Sequence, residues 1–226
     1  MINLVYAEAS LELVPLEILR HPSVRRNAKR RGKPAEETLL DRSLHHWAMD
    51  RLENSEKRGR PDILHFLLLQ ALGSPLNRQV ALRVWVHTVE NYSIFINPST
   101  RLPRDFNRFK SLMEQLFLDG RSPPKGEPLL LELKRLNVSQ LLRHIDPDIV
   151  FGLSSQGEPS SFDNIARELS NYDNPLVLIG AFPHGSFEKV TEKLVSKMFS
   201  VYPEPLEAWT VNSRLIYELE KKLDVY

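Results

Sequence analysis

Short apolar runs alternate with amphipathic segments along the chain, and this pattern predicts an α/β fold. The N-terminal stretch MINLVYAEASLELVP is typical of a strand that starts close to the initiator methionine. Further along, four apolar runs stand between helical or loop segments: LLLELK, DIVFGLS, PLVLIGAF and KMFSVY. Strands that are apolar on both faces are covered by helices on both sides, so these runs indicate a largely parallel, buried sheet.

Helices are predicted where apolar residues recur every three or four positions. One is expected between Pro61 and Gly73, because proline suits the first helical position and glycine the end of a helix. Another is expected from Pro103 to Asp119-Gly120, with its apolar side chains gathered on one face. The segments ETLLDRSLHHWAMDRLE and PLEAWTVNSRLIYELEKKL have the same periodicity.

Two strand-like runs around Glu90-Asn91 predict a β-hairpin extension over residues 82–97, and RSPPKGEP at 121–128 is typical of a loop. The sequence contains no internal repeat and no low-complexity tract. Residues 1–226 are therefore interpreted as one α/β domain that carries the hairpin and a basic extension.

Composition narrows the function classes only slightly. Hydrophobic residues make up 42% of the chain and charged residues 26%, which is ordinary for a globular protein with a buried core. There is no cysteine, so disulfides, thiolate zinc sites and cysteine nucleophiles are excluded. No apolar run reaches the roughly 18 residues that a membrane span needs. We therefore expect a cytoplasmic protein without a membrane partner.

The net charge is only +1, but the positive charge is concentrated. Residues 20–33, RHPSVRRNAKRRGK, contain seven Lys or Arg residues and no acid. A basic arm of this kind is either a mobile, solvated segment or a contact for a polyanion such as nucleic acid.

A second basic stretch, NPSTRLPRDFNRF at 97–109, carries Arg101, Arg104 and Arg108 at spacings of three and four residues. On a helix, Arg104 and Arg108 lie opposite the apolar stripe, where they face solvent or an anion in it. Arg60 and Asp62 also have two interpretations. Asp62 suits the first turn of a helix through the helix dipole alone, and in the functional interpretation it orients the Arg60 guanidinium toward an oxyanion or phosphate. In both cases a solvated charged surface is the alternative.

Three late strands end in loops rich in Gly, Pro or Ser: FGLSSQG (151–157), IGAFPHG (179–185) and FSVYPEPLEAW (199–209). Ligands of open α/β sheets lie beyond the carboxyl ends of the strands, so these loops form the expected pocket. GxGxxG, GxxxxGKS/T and GxSxG motifs are missing, which leaves a dinucleotide fold, a P-loop and a serine hydrolase without support. The seven histidines lack the spacing of metal ligands, so no metal site is predicted.

Several stretches become specific when they are taken together. LLDRSLHHWAM, RPDILHFLLLQALGSPLN, NPSTRLPRDFNRFKSLMEQL, FGLSSQG, GAFPHG and PEPLEAW occur in the order found in one family. Over nearly its whole length the sequence resembles the ribosome-biogenesis rRNA (pseudouridine-N1-)methyltransferases of the SPOUT superfamily. This resemblance implies a SPOUT-type α/β knot, with a deep C-terminal trefoil knot and its cofactor loops within residues 149–209.

The resemblance also implies an activity and partners. Family members are homodimers that use S-adenosyl-L-methionine to methylate N1 of a pseudouridine in small-subunit rRNA. They assist assembly of the small subunit, which adds small-subunit ribosomal proteins as partners and, in a eukaryote, a nucleolar location.

Site residues follow from the same resemblance, position by position. The positions that match rRNA-contacting arginines are Arg60, Arg101, Arg104 and Arg108. Asp62 matches the aspartate that orients the first of these, and Arg60 is the expected catalytic cation, because it would stabilise charge that develops on the target base. The positions that match cofactor-binding residues are Leu153, Gly180, Gly185, Val201, Tyr202, Pro203, Glu204, Pro205 and Leu206.

Three positions depart from the family pattern. Gly73 stands where members commonly carry Asp, Val80 where a glycine is usual, and Tyr202 where a serine is frequent. The first weakens any catalytic role for an acid at that position, and the other two bear on cofactor affinity. Together they keep open a second class of function, a non-catalytic rRNA-binding assembly factor that retains the fold.

Overall fold

A single eight-stranded sheet organises the protein, whose computed structural model describes residues 1–225. The strands are β1 (Ile2–Ala9), β2 (Leu82–Thr88), β3 (Ser93–Ile96), β4 (Arg121–Ser122), β5 (Leu131–Lys134), β6 (Ile149–Pro159), β7 (Pro175–Gly180) and β8 (Lys197–Ser200). Their order across the sheet is β4-β5-β3-β2-β1-β7-β6-β8. Strands β2, β1, β7, β6 and β8 run parallel, and β3, β5 and β4 are added antiparallel at one edge.

Helices cover both faces of the sheet. They are α1 (Pro22–Arg31), α2 (Arg42–Met49), α3 (Pro61–Gly73), α4 (Pro75–Arg78), α5 (Phe106–Asp119), α6 (Val138–Ile145), α7 (Phe162–Leu169), α8 (Lys189–Glu192) and α9 (Ala208–Lys222). Side chains of α3, α5, α7 and α9 form the larger core with one sheet face, whereas α6 packs on the other face. Every residue of β1 is buried as a result, because this strand lies in the middle of the sheet with helices on both faces.

The antiparallel edge corrects one expectation and confirms another. The run LLLELK forms β5, which pairs antiparallel with β3 and is only half-buried, so its assignment to the parallel sheet was wrong. Its position next to the two-residue edge strand β4 explains this, because apolar residues at that end of the sheet are needed on one face only. The predicted hairpin is present: β2 and β3 pair antiparallel, and the backbone N–H of Thr88 donates to the carbonyl of Tyr92.

The arginine helix begins later than predicted. Helix α5 starts at Phe106 rather than at Pro103, and Asp105 caps it by accepting a hydrogen bond of 2.9 Å from the Arg108 N–H. The carbonyl of Pro103 instead accepts a bond of 2.7 Å from Nε2 of His65 on α3. A tertiary contact therefore holds the segment before α5 out of the helix.

The basic segment is not the mobile arm that the sequence suggested. Residues 22–31 form α1, with Pro22 in the first turn and Gly32 in the left-handed conformation at its end. Within residues 1–225, no helix combines the length and apolar character of a membrane span.

The trefoil knot stays a prediction; within residues 149–209 the structure shows an irregular pairing of β6 with β8. Leu153 and Glu158 of β6 both align with Phe199 of β8, on either side of an irregularity. At Gly157, which lies in that irregularity, a Cβ atom would stand 2.5 Å from the carbonyl carbon of Phe199. Only glycine permits so close an approach of two backbones.

Candidate functional site

A cleft of about 290 Å³ lies beyond the carboxyl ends of β6, β7 and β8. Three loops enclose it, as the sequence predicted: residues 153–155, residues 179–187 and residues 201–208. The structure brings together eight of the nine residues expected to bind a cofactor: Leu153, Gly180, Gly185, Val201, Tyr202, Glu204, Pro205 and Leu206. The ninth, Pro203, does not line the cleft.

Part of the lining was not anticipated. Ile63 and Val211, at the starts of α3 and α9, and Phe187, just beyond the middle loop, were not expected in the lining, whereas Ser154, Ser155, Phe182, His184 and Glu207 lie within the three predicted loops. Sequence reasoning located the loops but selected only the positions that match a family motif. Helix α9 begins at the cleft, and this packing of a distant helix has no local signal in the sequence.

Backbone bonds fix the middle loop to the first strand. The N–H of Ala181 donates to the carbonyl of Ala7, and the N–H of Ser10 donates to the carbonyl of Ala181. Gly185 has φ +95°, a conformation that side chains other than glycine rarely adopt. The loop therefore turns sharply at a glycine while its first residues extend the sheet.

Two charged residues that the sequence analysis missed contact the same loop, residues 179–187, on the side away from the cleft. The Oε1 atom of Glu8 accepts a bond of 2.8 Å from the backbone N–H of Glu188. The Nζ atom of Lys57 lies 4.3 Å from the ring centroid of Phe182, a cation–π distance. Glu8 and Lys57 thus contact both ends of the loop that lines the cleft.

Arg60 and Asp62 form the pair that was predicted. The Nε of Arg60 donates to Oδ1 of Asp62 at 2.8 Å, and Nη2 donates to Oδ2 at 2.7 Å, a bidentate contact. The hydrogen bond to Asp62 raises the pKa of Arg60 above its usual value. Arg60 lines the cleft, and its backbone N–H donates to the Ser10 hydroxyl at 2.8 Å. A firmly charged guanidinium of fixed orientation therefore stands at the edge of the cleft.

The other three arginines lie beside the cleft rather than in it. Arg101, Arg104 and Arg108 are exposed and do not contribute to its lining. The bond between Pro103 and His65 places this segment against the second turn of α3, the helix that starts next to Arg60. Of the four arginines, Arg60 lines the cleft, and the segment that carries the other three is joined to the same helix through His65.

The three departures from the family pattern fall in different places. Gly73 is at the opposite end of α3 from Arg60, about 20 Å along the helix axis, so a residue there cannot reach the cleft of its own chain. Val80 precedes β2, at the N-terminal ends of the parallel strands and away from the cleft, and it does not line the cleft. Tyr202 is exposed and lines the cleft, where its carbonyl accepts a bond of 2.8 Å from the Ser200 hydroxyl.

Comparison with known proteins identifies the family. Residues 4–220 match the model of the EMG1/NEP1 methyltransferase family. The chain is 46% identical over 226 residues to the ribosomal RNA small subunit methyltransferase Nep1 of Thermococcus kodakarensis, with 99% of each chain covered. It is 44% identical over 219 residues to the protein of the same name from Staphylothermus marinus, covering 97% of this chain and 95% of the relative. The crystal structure of Archaeoglobus fulgidus Nep1 bound to S-adenosylhomocysteine superimposes with a TM-score of 0.87 at 40% identity, covering 98% of both chains. The protein therefore belongs to the EMG1/NEP1 methyltransferase family.

Proposed function

We propose that this protein is an S-adenosyl-L-methionine-dependent methyltransferase that acts on small-subunit rRNA during ribosome biogenesis, at N1 of a pseudouridine. The observation that carries the proposal is the position of Arg60, which is held by Asp62 at the edge of a cleft at the carboxyl ends of parallel strands. The relatives named above are small-subunit rRNA methyltransferases, and the similar crystal structure holds the demethylated cofactor product.

The lining of the cleft suits S-adenosyl-L-methionine. Leu153, Ile179, Val201 and Leu206 provide apolar walls, and the glycine at position 185 leaves backbone groups accessible to a ligand. These residues would hold the cofactor together with the backbone of residues 201–206. When bound there, the cofactor supplies a methyl group on a sulfonium, which is already activated for transfer.

The chain has to align the base and stabilise the charge that develops on it. As the N1–methyl bond forms and the sulfur–methyl bond breaks, the proton on N1 leaves to water, and negative charge spreads to the ring carbonyl oxygens. The Arg60 guanidinium is the proposed catalytic cation that stabilises these oxygens. Asp62 is a positioning residue, because its bidentate contact holds the guanidinium in one orientation before the substrate arrives.

Arg101, Arg104 and Arg108 are proposed to bind the rRNA. They are exposed, and within residues 1–225 none of the three forms an ion pair with an acidic side chain. Sequence-specific RNA recognition targets loops whose bases are splayed out, with the backbone held by arginine and lysine. Three arginines beside the cleft would hold such a loop with its target base directed toward Arg60.

The proposal includes a homodimer, supported by an apolar face next to the cleft. Phe66 of α3 is 52% exposed and Tyr217 of α9 is 59% exposed. The ring of Trp209 lies 5.4 Å from that of Phe66, and the face continues along both helices to Gly73. Exposed apolar patches of this kind mark interfaces. We further propose the trefoil knot, small-subunit ribosomal proteins as neighbours, and a cytoplasmic location.

Methyl transfer to synthetic RNA tests the proposal. A small-subunit rRNA hairpin with pseudouridine at the target position is expected to accept labelled methyl groups, whereas the same hairpin with uridine is not. Calorimetry with S-adenosylmethionine separates the enzyme from the assembly factor. Cofactor binding without transfer to any small-subunit rRNA would contradict the proposed reaction, and no binding at millimolar cofactor would indicate the assembly factor.

A further inference from the structure

Helix α1 presents a continuous cationic surface that the proposed reaction does not use. Seven Lys or Arg residues lie within residues 20–33, and five of them are exposed: Arg20, Arg25, Arg26, Lys29 and Arg30. None of these five forms an ion pair with another residue of the described range 1–225. The segment contains no acid, so nothing within it neutralises these five charges.

The other two cations fix α1 to the arginine helix. Arg31 and Lys33 both contact the carboxylate of Glu114 on α5, whose side chain is fully buried. The same carboxylate accepts a bond of 3.0 Å from the backbone N–H of Leu39. Nη2 of Arg31 also lies 3.5 Å from the hydroxyl of Ser111, one turn from Arg108. The surface of α1 is therefore continuous with the surface that carries Arg108.

The exposed charges of α1 repel one another. Arg25 and Lys29 are four residues apart on the helix, as are Arg26 and Arg30, and like charges at this spacing destabilise a helix. In the part of the chain that the structure describes, no acidic side chain pairs with these exposed residues, whereas Glu114 pairs with Arg31 and Lys33. A bound polyanion would relieve this repulsion, and its release of counterions would favour binding.

We propose that α1 binds the rRNA that flanks the target hairpin, so that the RNA-binding surface runs from Arg60 past Arg108 to Arg25 and Lys29. This inference rests on the proposed function for the identity of the polyanion. The contacts are to phosphates, because exposed arginine and lysine on one helical face supply charge and position without reading a base. The flanking RNA is favoured over the hairpin itself because α1 contributes no residue to the cleft and is joined to the rest of the protein through α2 and α5.

Binding of two RNAs of different length tests the inference. The variant Arg25→Gln/Lys29→Gln is compared with the parent protein on complete small-subunit rRNA and on the shortest hairpin that accepts methyl groups. For the complete rRNA, we expect a dissociation constant about tenfold higher near 0.15 M salt, and a log K against log salt slope reduced by about 1 for each charge removed. For the short hairpin, both quantities are expected to stay unchanged.

The matched control is Arg83→Gln/Arg143→Gln. These two exposed cations lie on the other face of the sheet, around Trp85 and α6, and their loss changes the net charge by the same amount. An equal effect of both double variants would show a general charge effect and overturn the inference, as would no effect of either. An equal loss for the long and the short RNA would also overturn it. Methyl transfer by the parent protein, measured on the same hairpin, reports separately on the proposed function.

Discussion

The carboxylate of Glu8 lies 2.7 Å from Nζ of Lys57, and both side chains are largely buried behind the cleft. Glu8 is the penultimate residue of β1 and has φ +52°, which is unusual for a residue other than glycine. The pair joins the end of the central strand to the segment before α3. Since Glu8 also accepts from the Glu188 N–H and Lys57 also contacts Phe182, this ion pair supports the middle loop of the cleft in addition to the backbone bonds of Ala181.

Lys57→Met is therefore expected to weaken cofactor binding. The loss leaves the buried Glu8 carboxylate without its cation, which costs about 3–5 kcal/mol of stability in comparable sites. Displacement of the loop is expected to raise the dissociation constant for S-adenosylhomocysteine about tenfold, equivalent to about 1.4 kcal/mol. Calorimetry measures the affinity and thermal unfolding measures the stability.

Lys134→Met provides a matched control for this prediction. Lys134 also forms an ion pair, at 3.0 Å with Glu132, and also lies 4.3 Å from a phenylalanine ring, that of Phe95. It is exposed at the antiparallel edge of the sheet, so its loss should affect neither quantity much. Unchanged cofactor affinity in Lys57→Met would contradict the role of the ion pair.

Arg60→Ala is expected to reduce the single-turnover rate of methylation about 10²–10³-fold at saturating RNA, because a pre-oriented cation is lost. Asp62→Asn should reduce the rate less, since it removes the orientation but keeps the charge, and it should leave the cofactor affinity unchanged. Asp163→Asn is the control: it removes a carboxylate of α7 that pairs with Arg167 and with Lys222, both far from Arg60 in the sequence and absent from the cleft lining. A normal rate for Arg60→Ala would exclude it as the catalytic cation.

Arg104→Gln and Arg108→Gln are expected to act on binding and not on chemistry. Each should reduce the slope of log K against log salt for the hairpin by about 1, because one phosphate contact is lost. The rate at saturating RNA should remain close to that of the parent protein. An unchanged slope in both variants would restore the interpretation of a solvated surface.

The sequence predicted those elements whose ends are marked by local chemistry. Pro61 and Gly73 do delimit α3, and the hairpin between β2 and β3 forms as expected. The start of α5 was misplaced because the local sequence allows a start at Pro103 or one after Asp105. The contact between His65 and Pro103, 38 residues apart, favours the later start. The contacts of Arg31 and Lys33 with Glu114, about 80 residues away, likewise have no local pattern, although Pro22 and Gly32 mark the ends of α1 in the sequence.

The site was predictable to a similar extent. The cleft was located because ligands of open α/β sheets lie beyond the carboxyl ends of the strands. The pairing of Arg60 with Asp62 is local, since the two residues are two positions apart. The ion pair of Glu8 and Lys57 joins positions 49 residues apart, so only the folded chain reveals it. A glutamate at the end of an otherwise apolar strand was its one visible sign.

Val80 has φ +57° and is 57% exposed, so it adopts a left-handed conformation without compensating packing. A β-branched residue is poorly suited to this conformation. Val80→Gly is therefore expected to raise the free energy of unfolding by about 0.5–1 kcal/mol, the steric cost less the greater backbone entropy of glycine. Cofactor affinity should not change, because Val80 is remote from the cleft.

Val190→Gly is the matched control for this substitution. Val190 is 58% exposed but lies within α8, where glycine is unfavourable by about 1 kcal/mol relative to alanine. Chemical denaturation should thus give changes of opposite sign for the two variants. Destabilisation by Val80→Gly would contradict the assignment of strain at this position.

Acid is expected to destabilise the protein through His45. The pKa of this histidine is lowered from 6.5 to about 4, mainly by burial; the charge of Asp41 opposes this shift, and the charges of Lys110 and Arg31 add to it. The folded chain then binds fewer protons than the unfolded chain between these values. About 3 kcal/mol of stability is expected to be lost as the pH falls from about 6.5 to about 4, and none above this range.

Denaturation across this pH range measures the effect. His45→Asn should flatten the pH dependence in part, since burial also lowers the pKa of His87, which contributes in the same direction. His46→Gln, at the exposed neighbouring position, should leave the dependence as it is. An equal pH dependence in His45→Asn and the parent protein would refute the assignment.

The buried carboxylate of Glu114 has a kinetic consequence. Burial alone would raise its pKa, but the bonds from Arg31, Lys33 and the Leu39 N–H outweigh burial and lower it, so the carboxylate keeps its charge at neutral pH. Because α1 is locked to α5 in this way, it cannot swing out to capture RNA as a disordered tail would. Encounter with the ribosome precursor should then depend on long-range attraction between preformed surfaces, and the association rate should fall steeply as ionic strength rises.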